Sequence, residues 1–150
     1  MDMIFTVASD YSLVTGLRHS DLSENSGEDF YHKKLNGAFA EAFDKKEELV
    51  LILDGVIGGY TPSFLDEAIG NLVYDFSLSV VRKYLKVISD NDSQWLVMLE
   101  KKTYPLWEQR RKKGPKATIS VPATAWYKLV NGKLEKKVWI TEITPSSQIK

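Results

Sequence analysis

Cysteine is absent from the 150 residues. That excludes disulfides, thiolate metal ligands and a cysteine nucleophile, and it fits a reducing interior. Histidine is nearly absent too: His19 and His32 are too few for a histidine-based metal site, and neither stands in a pattern that would complete a hydrolytic triad. No phosphate-cradling glycine loop followed by Lys and Ser or Thr occurs. No apolar run approaches the roughly 20 residues of a membrane-spanning helix, and the segment MDMIFTVASDY lacks a basic leader. The expectation is a cytoplasmic chain with no membrane partner and no cofactor.

What is present is ordinary in amount and uneven in placement. The chain is 43% apolar and 27% charged, enough for one sizeable core. Its net charge of zero hides a segregation. Residues 1–80 hold five Lys and Arg against fourteen Asp and Glu; residues 81–116 hold ten against four. The two parts either attract each other across the fold, or the basic part is a solvated helix face, or it contacts phosphates.

The most informative stretch runs from Leu49 to Val73. Leu49 to Leu53 is an aliphatic run suited to a strand covered on both faces. Asp54 and Gly55 end it, and Gly58 and Gly59 allow a tight turn. Thr61-Pro62-Ser63 then reads as a helix start, with Thr61 as the cap and Pro62 in the first turn, where a missing donor costs nothing. Phe64, Leu65, Ala68, Ile69, Leu72, Val73 and Phe76 recur with helical period, predicting one buried face.

Around this unit, Ile4 to Ser9 reads as a first strand. Ser26 and Asp29 form a capping pair for a helix reaching about Lys45. The order thus begins β-α-β-α. VVRKYLKVIS, residues 80–89, reads as a further strand, with a helix start as the alternative. Residues 93–113 read as a helix that Pro105 should kink or divide. The tail changes character: ATISV, WYKLV and KVWITEI alternate as strands, with Asn131-Gly132 marking a hairpin, and Pro145 to Lys150 read as a frayed end. The domain reading is 1–113 as an α/β domain with 114–150 as a hairpin extension on or beside it.

These elements resemble the STAS fold of anti-sigma-factor antagonists, and most closely the STAS-like domains of unassigned function. The resemblance is carried by Gly16-Leu17-Arg18, by Gly27-Glu28-Asp29-Phe30, by the strand ending at Asp54 and by Thr61 to Glu67, and it covers roughly residues 2 to 100. It implies a STAS-like mixed sheet flanked by helices. It further implies that Ser63 lies where the antagonists carry a serine phosphorylated by an ATPase-fold kinase. In this chain Thr61 replaces the aspartate of that switch, Pro62 its first serine and Phe64 its glycine. A phosphoryl group on Ser63 would place about −1.5 to −2 charges at a helix N-terminus. The alternative is that Thr61 caps the helix and Ser63 satisfies a backbone group of the first turn.

The implied function is a non-enzymatic regulatory or adaptor domain that binds a protein of the ATPase or kinase class, as monomer or homodimer. Its surface would comprise Gly58, Gly59, Tyr60, Thr61, Ser63, Asp66 and Glu67, with Asp54 and Arg18 nearby. Asp54, Asp66 and Glu67 are either hard-cation ligands or a turn aspartate and two helix-dipole partners; the second reading is adopted, and no metal is expected. Arg18 either approaches the Ser63 helix or pairs with Glu28 or Asp29. The competing function is a nucleic-acid module using Arg110, Arg111, Lys112, Lys113 and Lys116, with Trp107 and Trp126 as stacking faces. Trp95 and Trp107 are otherwise core residues.

Overall fold

A computed structural model describes residues 2–114 and 117–148. The central sheet has three strands, β1 (Met3–Thr6), β2 (Leu49–Ile52) and β3 (Leu85–Ile88), in the order β1-β2-β3. Both pairings are parallel. The register aligns Met3, Leu49 and Leu85, and likewise Phe5, Leu51 and Val87, so these six share one face. That face packs on the core, and Leu51 at its centre is fully buried.

Helices supply the rest of the core. α1 (Val7–Asp10) is a single turn. It takes up residues that the sequence pattern assigned to the first strand, which stops at Thr6. The Asp10 carboxylate accepts the Thr6 N–H at 2.7 Å and closes the chain into a turn. α2 occupies residues 27–45 and starts as expected on Ser26, whose hydroxyl accepts the Asp29 N–H. A π-helical turn, Tyr31–Leu35, widens it. The wider turn sets residues five apart above one another, so the Asn36 side chain donates to the Tyr31 hydroxyl at 3.0 Å.

α3 (Pro62–Phe76) is the central helix, and all seven of its predicted apolar positions are buried. Phe64 stacks on Phe30 at 5.7 Å between ring centroids. α4 (Leu78–Tyr84) follows, and the segment read as a strand over residues 80–89 divides into this helix and β3. Glu108 accepts the Leu78 N–H, and the Ser77 hydroxyl caps the helix at Val80, so the first half is drawn into a helix. α5, residues 94–113, is continuous rather than broken at Pro105. A π-helical turn, Leu99–Thr103, precedes the proline and absorbs the missing donor and the bulk of its ring.

The tail forms an antiparallel hairpin, β4 (Trp126–Val130) and β5 (Lys133–Lys137), turning on Asn131 and Gly132 with φ of 51° and 79°. The strand expected over KVWITEI, residues 137–143, instead lies earlier, at Lys133–Lys137; beyond it Trp139 folds back, its indole N–H donating to the Trp126 carbonyl at 2.9 Å. ATISV contributes only an isolated bridge, Ile119 with Ile143. The end is not frayed as far as it is described. Ser146–Gln148 forms a 3₁₀ turn, and the Ser146 N–H donates to Asp21; Ile149 and Lys150 lie outside the described residues.

The extension lies against the helices of the main unit. Trp126 is part of the core, and Asn36 of α2 bonds both the N–H and the carbonyl of Tyr127. Glu28 of α2, buried, accepts from the Ser120 N–H and hydroxyl at 3.0 and 2.6 Å and from the Val121 N–H. Among the described residues no helix is long and apolar enough to cross a membrane.

Candidate functional site

The turn before α3 is built from glycine conformations. Gly58 and Gly59 adopt φ of 79° and 75° with open space where a side chain would stand, so backbone geometry alone selects them. The Thr61 hydroxyl accepts the Phe64 N–H and donates to the Gly16 carbonyl, both at 3.2 Å. It thus caps α3 and ties the Arg18 loop to it. Ser63 Oγ donates to Thr61 Oγ1 at 3.3 Å. This corrects the expectation that Ser63 serves a backbone group of the first turn. Thr61 does the capping, and Ser63 stays half-exposed. Phe64 turns inward and is fully buried, so it does not screen Ser63.

Arg18 resolves its alternatives clearly. Its guanidinium pairs with Asp66 at 2.9 Å and Glu67 at 3.1 Å, not with Glu28 or Asp29. Burial opposes the charge on Arg18, but Glu67 and Asp66 outweigh it and raise its pKa. Asp66 also accepts from the Thr103 hydroxyl and the Trp107 indole N–H at 2.9 and 3.1 Å, which joins α3 to α5. Both acids lie in the second turn of α3, and Arg18 is their partner. Asp54 stands elsewhere, accepting the N–H groups of Asp90 and Asn91 at the end of β3. The three carboxylates are therefore not gathered for a cation, and no metal-binding cluster occurs among the described residues. The Tyr60 hydroxyl donates to the Leu53 carbonyl at 2.7 Å, making Tyr60 a latch on the end of β2.

Sequence periodicity missed the polar side of α3. Ser63, Glu67, Asn71 and Asp75 recur every four residues and so form one stripe. The last three are buried. Asn71 donates to the Glu67 carboxylate at 3.0 Å, and Tyr31 donates to both the Asn71 carbonyl and the Asp75 carboxylate. Burial raises the Glu67 pKa against the opposing pull of Arg18 and Asn71. The four-residue spacing was legible; that it would be covered was not.

Three cavities follow the stripe. One of about 530 Å³ lies at Ser63, between Pro62, Trp95, Met98, Lys102 and Leu106. A second, of about 420 Å³, lies over Glu67 and Asn71 beside Trp107 and Arg110. A third, of about 340 Å³, lies at Asp75 under the hairpin. The turn before α3 carries exposed apolar residues of its own, outside the lining of these cavities. Ile57 is 64% exposed and donates its N–H to the carbonyl of Leu13, itself 54% exposed beside the similarly open Val14.

The basic run is dispersed around the end of α5. Arg110 lies over the Trp107 ring at 4.5 Å, and Arg111 pairs with Glu108 at 2.6 Å. Lys112 and Lys113 are exposed, and Lys116 lies outside the described residues. Trp95, Trp107 and Trp126 are all buried, so none presents an open stacking face.

The parallel three-stranded sheet with its helices is the frame in which the comparison with known families falls. Residues 26–95 match the family model described as a STAS-like domain of unknown function (DUF4325). β1, the Arg18 loop, most of α5 and the hairpin lie outside the matched segment. No curated protein and no solved structure matches the chain.

Proposed function

We propose that this is a non-enzymatic regulatory or adaptor domain that binds a protein partner of the ATPase or kinase class through the Gly58 to Glu67 turn and helix start, with phosphorylation of Ser63 as the switch. The observation that carries this reading is the pairing of a half-exposed Ser63 with uncovered apolar surface. Ile57, Leu13 and Val14 stand open on one side, and the cavity of Trp95, Met98 and Leu106 lies at Ser63 itself. Contiguous exposed apolar residues beside a polar helix start suit a protein contact better than solvent.

The switch follows from charge and position. Ser63 stands second in α3, where backbone N–H groups and the helix dipole accept an anion without disrupting the helix. A phosphoryl group there adds negative charge and a hydration shell to the centre of the docking surface. Asp66, one turn along, already claims Arg18, so the added charge is not neutralised by that side chain.

The test is affinity purification of the tagged chain from its host, with mass spectrometry of the co-purifying proteins and of the Ser63 peptide. The expected result is a stoichiometric ATPase or kinase that Ser63→Ala retains and Ser63→Glu loses by at least tenfold. Equal recovery with both variants removes the switch. Recovery of nucleic acid with no stoichiometric protein overturns the reading in favour of the basic end of α5.

A further inference from the structure

The cavity at the far end of the α3 stripe has a lining unlike the other two. Tyr74, Trp126 and Trp139 supply aromatic walls, and Asp75 and Glu142 supply carboxylates. A cation already stands against them. Lys128 Nζ is 4.7 Å from the Tyr74 ring centroid, 5.7 Å from that of Trp139 and 3.9 Å from Asp75 Oδ1. All three separations lie inside the range over which ring quadrupoles and carboxylates attract a positive charge.

The walls are set before any ligand arrives. Trp139 is fixed by its bond to the Trp126 carbonyl, and Trp126 packs edge-on against His32 at 4.6 Å between centroids. Asp75 is 6% exposed and is held by the Tyr31 hydroxyl. Rigid aromatic walls lower the entropy cost of binding. The lining sets the carboxyl groups of Asp75 and Glu142 against the ammonium of Lys128, and Lys137 Nζ stands 4.3 Å from the Trp139 ring centroid. Burial pushes the Asp75 carboxyl up to about 7, against the Tyr31 bond, Lys128 and Trp126, so Lys128 does not fully compensate it.

We propose that this pocket recognises a methylated ammonium group, carried by a small molecule or by a methylated lysine side chain, with Lys128 as the resident cation that the ligand displaces. Lys128 is held loosely: its nearest Asp75 oxygen, at 3.9 Å, is beyond hydrogen-bond distance, and its side chain is 31% exposed, so it can turn out to solvent when a ligand enters. A methylated ammonium keeps the charge, has fewer or no donors to satisfy and fills the space between the rings. At about 340 Å³ the cavity is of small-ligand size. It lies about 18 Å along α3 from Ser63, twelve residues at the helical rise, so this site stands or falls independently of the Ser63 surface.

The test is titration of the full chain, followed through the tryptophan indole N–H signals by NMR, with tetramethylammonium, choline, a trimethyllysine peptide and the uncharged isostere 3,3-dimethylbutan-1-ol. Sodium chloride at matched ionic strength is the control. The expected result is saturable shifts of the Trp126 and Trp139 signals with the three cations and none with the isostere. Lys128→Ala should tighten tetramethylammonium binding at least tenfold, and Trp139→Ala should abolish it while the β2 and α3 amide signals stay in place. Tighter binding of the peptide than of choline assigns the source as a lysine side chain; the reverse assigns a small molecule. Absence of saturable shifts in both the wild type and Lys128→Ala, or equal shifts with the isostere, overturns the proposal and leaves the pocket an internal cation–π clamp.

Discussion

Arg18 reaches across 49 positions of sequence to place its guanidinium 3.1 Å from the buried carboxylate of Glu67. The same guanidinium holds Asp66, so one side chain ties the Gly16 loop to the helix that Ser63 opens. Removing it strands a buried charge, which costs more than the pair contributes. Arg18→Ala should destabilise by about 2–3 kcal/mol, below the figure for fully buried pairs because the Arg18 side chain is 32% exposed. Adding Glu67→Gln should restore at least half. Urea unfolding at neutral pH measures both; no recovery in the double variant would show that Arg18 acts through packing alone.

Gly70 and Trp107 hold α3 against α5. A β-carbon on Gly70 would fall 2.2 Å from Cε2 and 2.3 Å from Nε1 of the indole. The ring cannot slide aside without losing its bond to Asp66. Alanine gains about 1 kcal/mol of helix propensity over glycine, whereas overpacking costs about 1–3, and a clash with a ring that is held in place lies at the upper end, about 2–3. Gly70→Ala should therefore be destabilising overall, by about 1–2 kcal/mol, with a lowered melting temperature and a red-shifted tryptophan emission. A neutral or raised melting temperature would mean that the two helices separate freely.

Local chemistry made much of this fold legible. The caps at Ser26 and Thr61, the strand at Leu49 and the Asn131-Gly132 turn each depend on residues within a few positions of one another. The polar stripe was not legible as buried. Its cover comes from Arg18, Tyr31 and a C-terminal segment anchored to Glu28 over 92 positions, and no periodicity carries that information. Residues 80–89 read as a strand because Val80, Val81 and Ile88 are β-branched; Ser77 and Glu108, outside the segment, draw its first half into a helix. Ser63 was found through its place in the pattern, and its exposure depends on Thr61 taking the cap.

Asp75 and His32 impose opposing pH slopes on stability. Burial raises the Asp75 carboxyl from 3.8 to about 7, so between those values the native state holds a proton that the unfolded state has lost, and stability falls as pH rises. Burial lowers His32 from 6.5 to about 4, against the pull of Glu28 and Asp29, so over that window stability rises with pH. The windows overlap and the slopes offset. Relative to the wild type across about pH 4 to 6.5, Asp75→Asn should gain about 2 kcal/mol on rising through the window and His32→Leu should lose a similar amount. Parallel profiles for all three proteins in denaturant titrations would disprove the offset.

Glu28 is the anchor that keeps the extension closed over the stripe. Burial opposes its charge, but bonds from His19, the Ser120 hydroxyl and N–H, and the Ser20 N–H outweigh that and hold the carboxyl down at about 2 rather than 4.5. A lowered carboxyl contributes stability that is fully present above its unfolded value and disappears as pH falls toward the folded one. The contribution belongs to the contact between α2 and residues 119–121. Glu28→Gln cannot accept as strongly from these donors, and it should loosen that contact before it loosens the sheet. Hydrogen exchange at neutral pH should show protection falling about tenfold or more at Ser120 and Val121, with Val50 and Leu51 changed far less. In the wild type, acidification from 4.5 toward 2 should produce the same order of opening. Uniform loss of protection across Leu51 and Ser120 would make the extension part of one cooperative unit with the sheet, and the stripe would then be uncovered only by global unfolding.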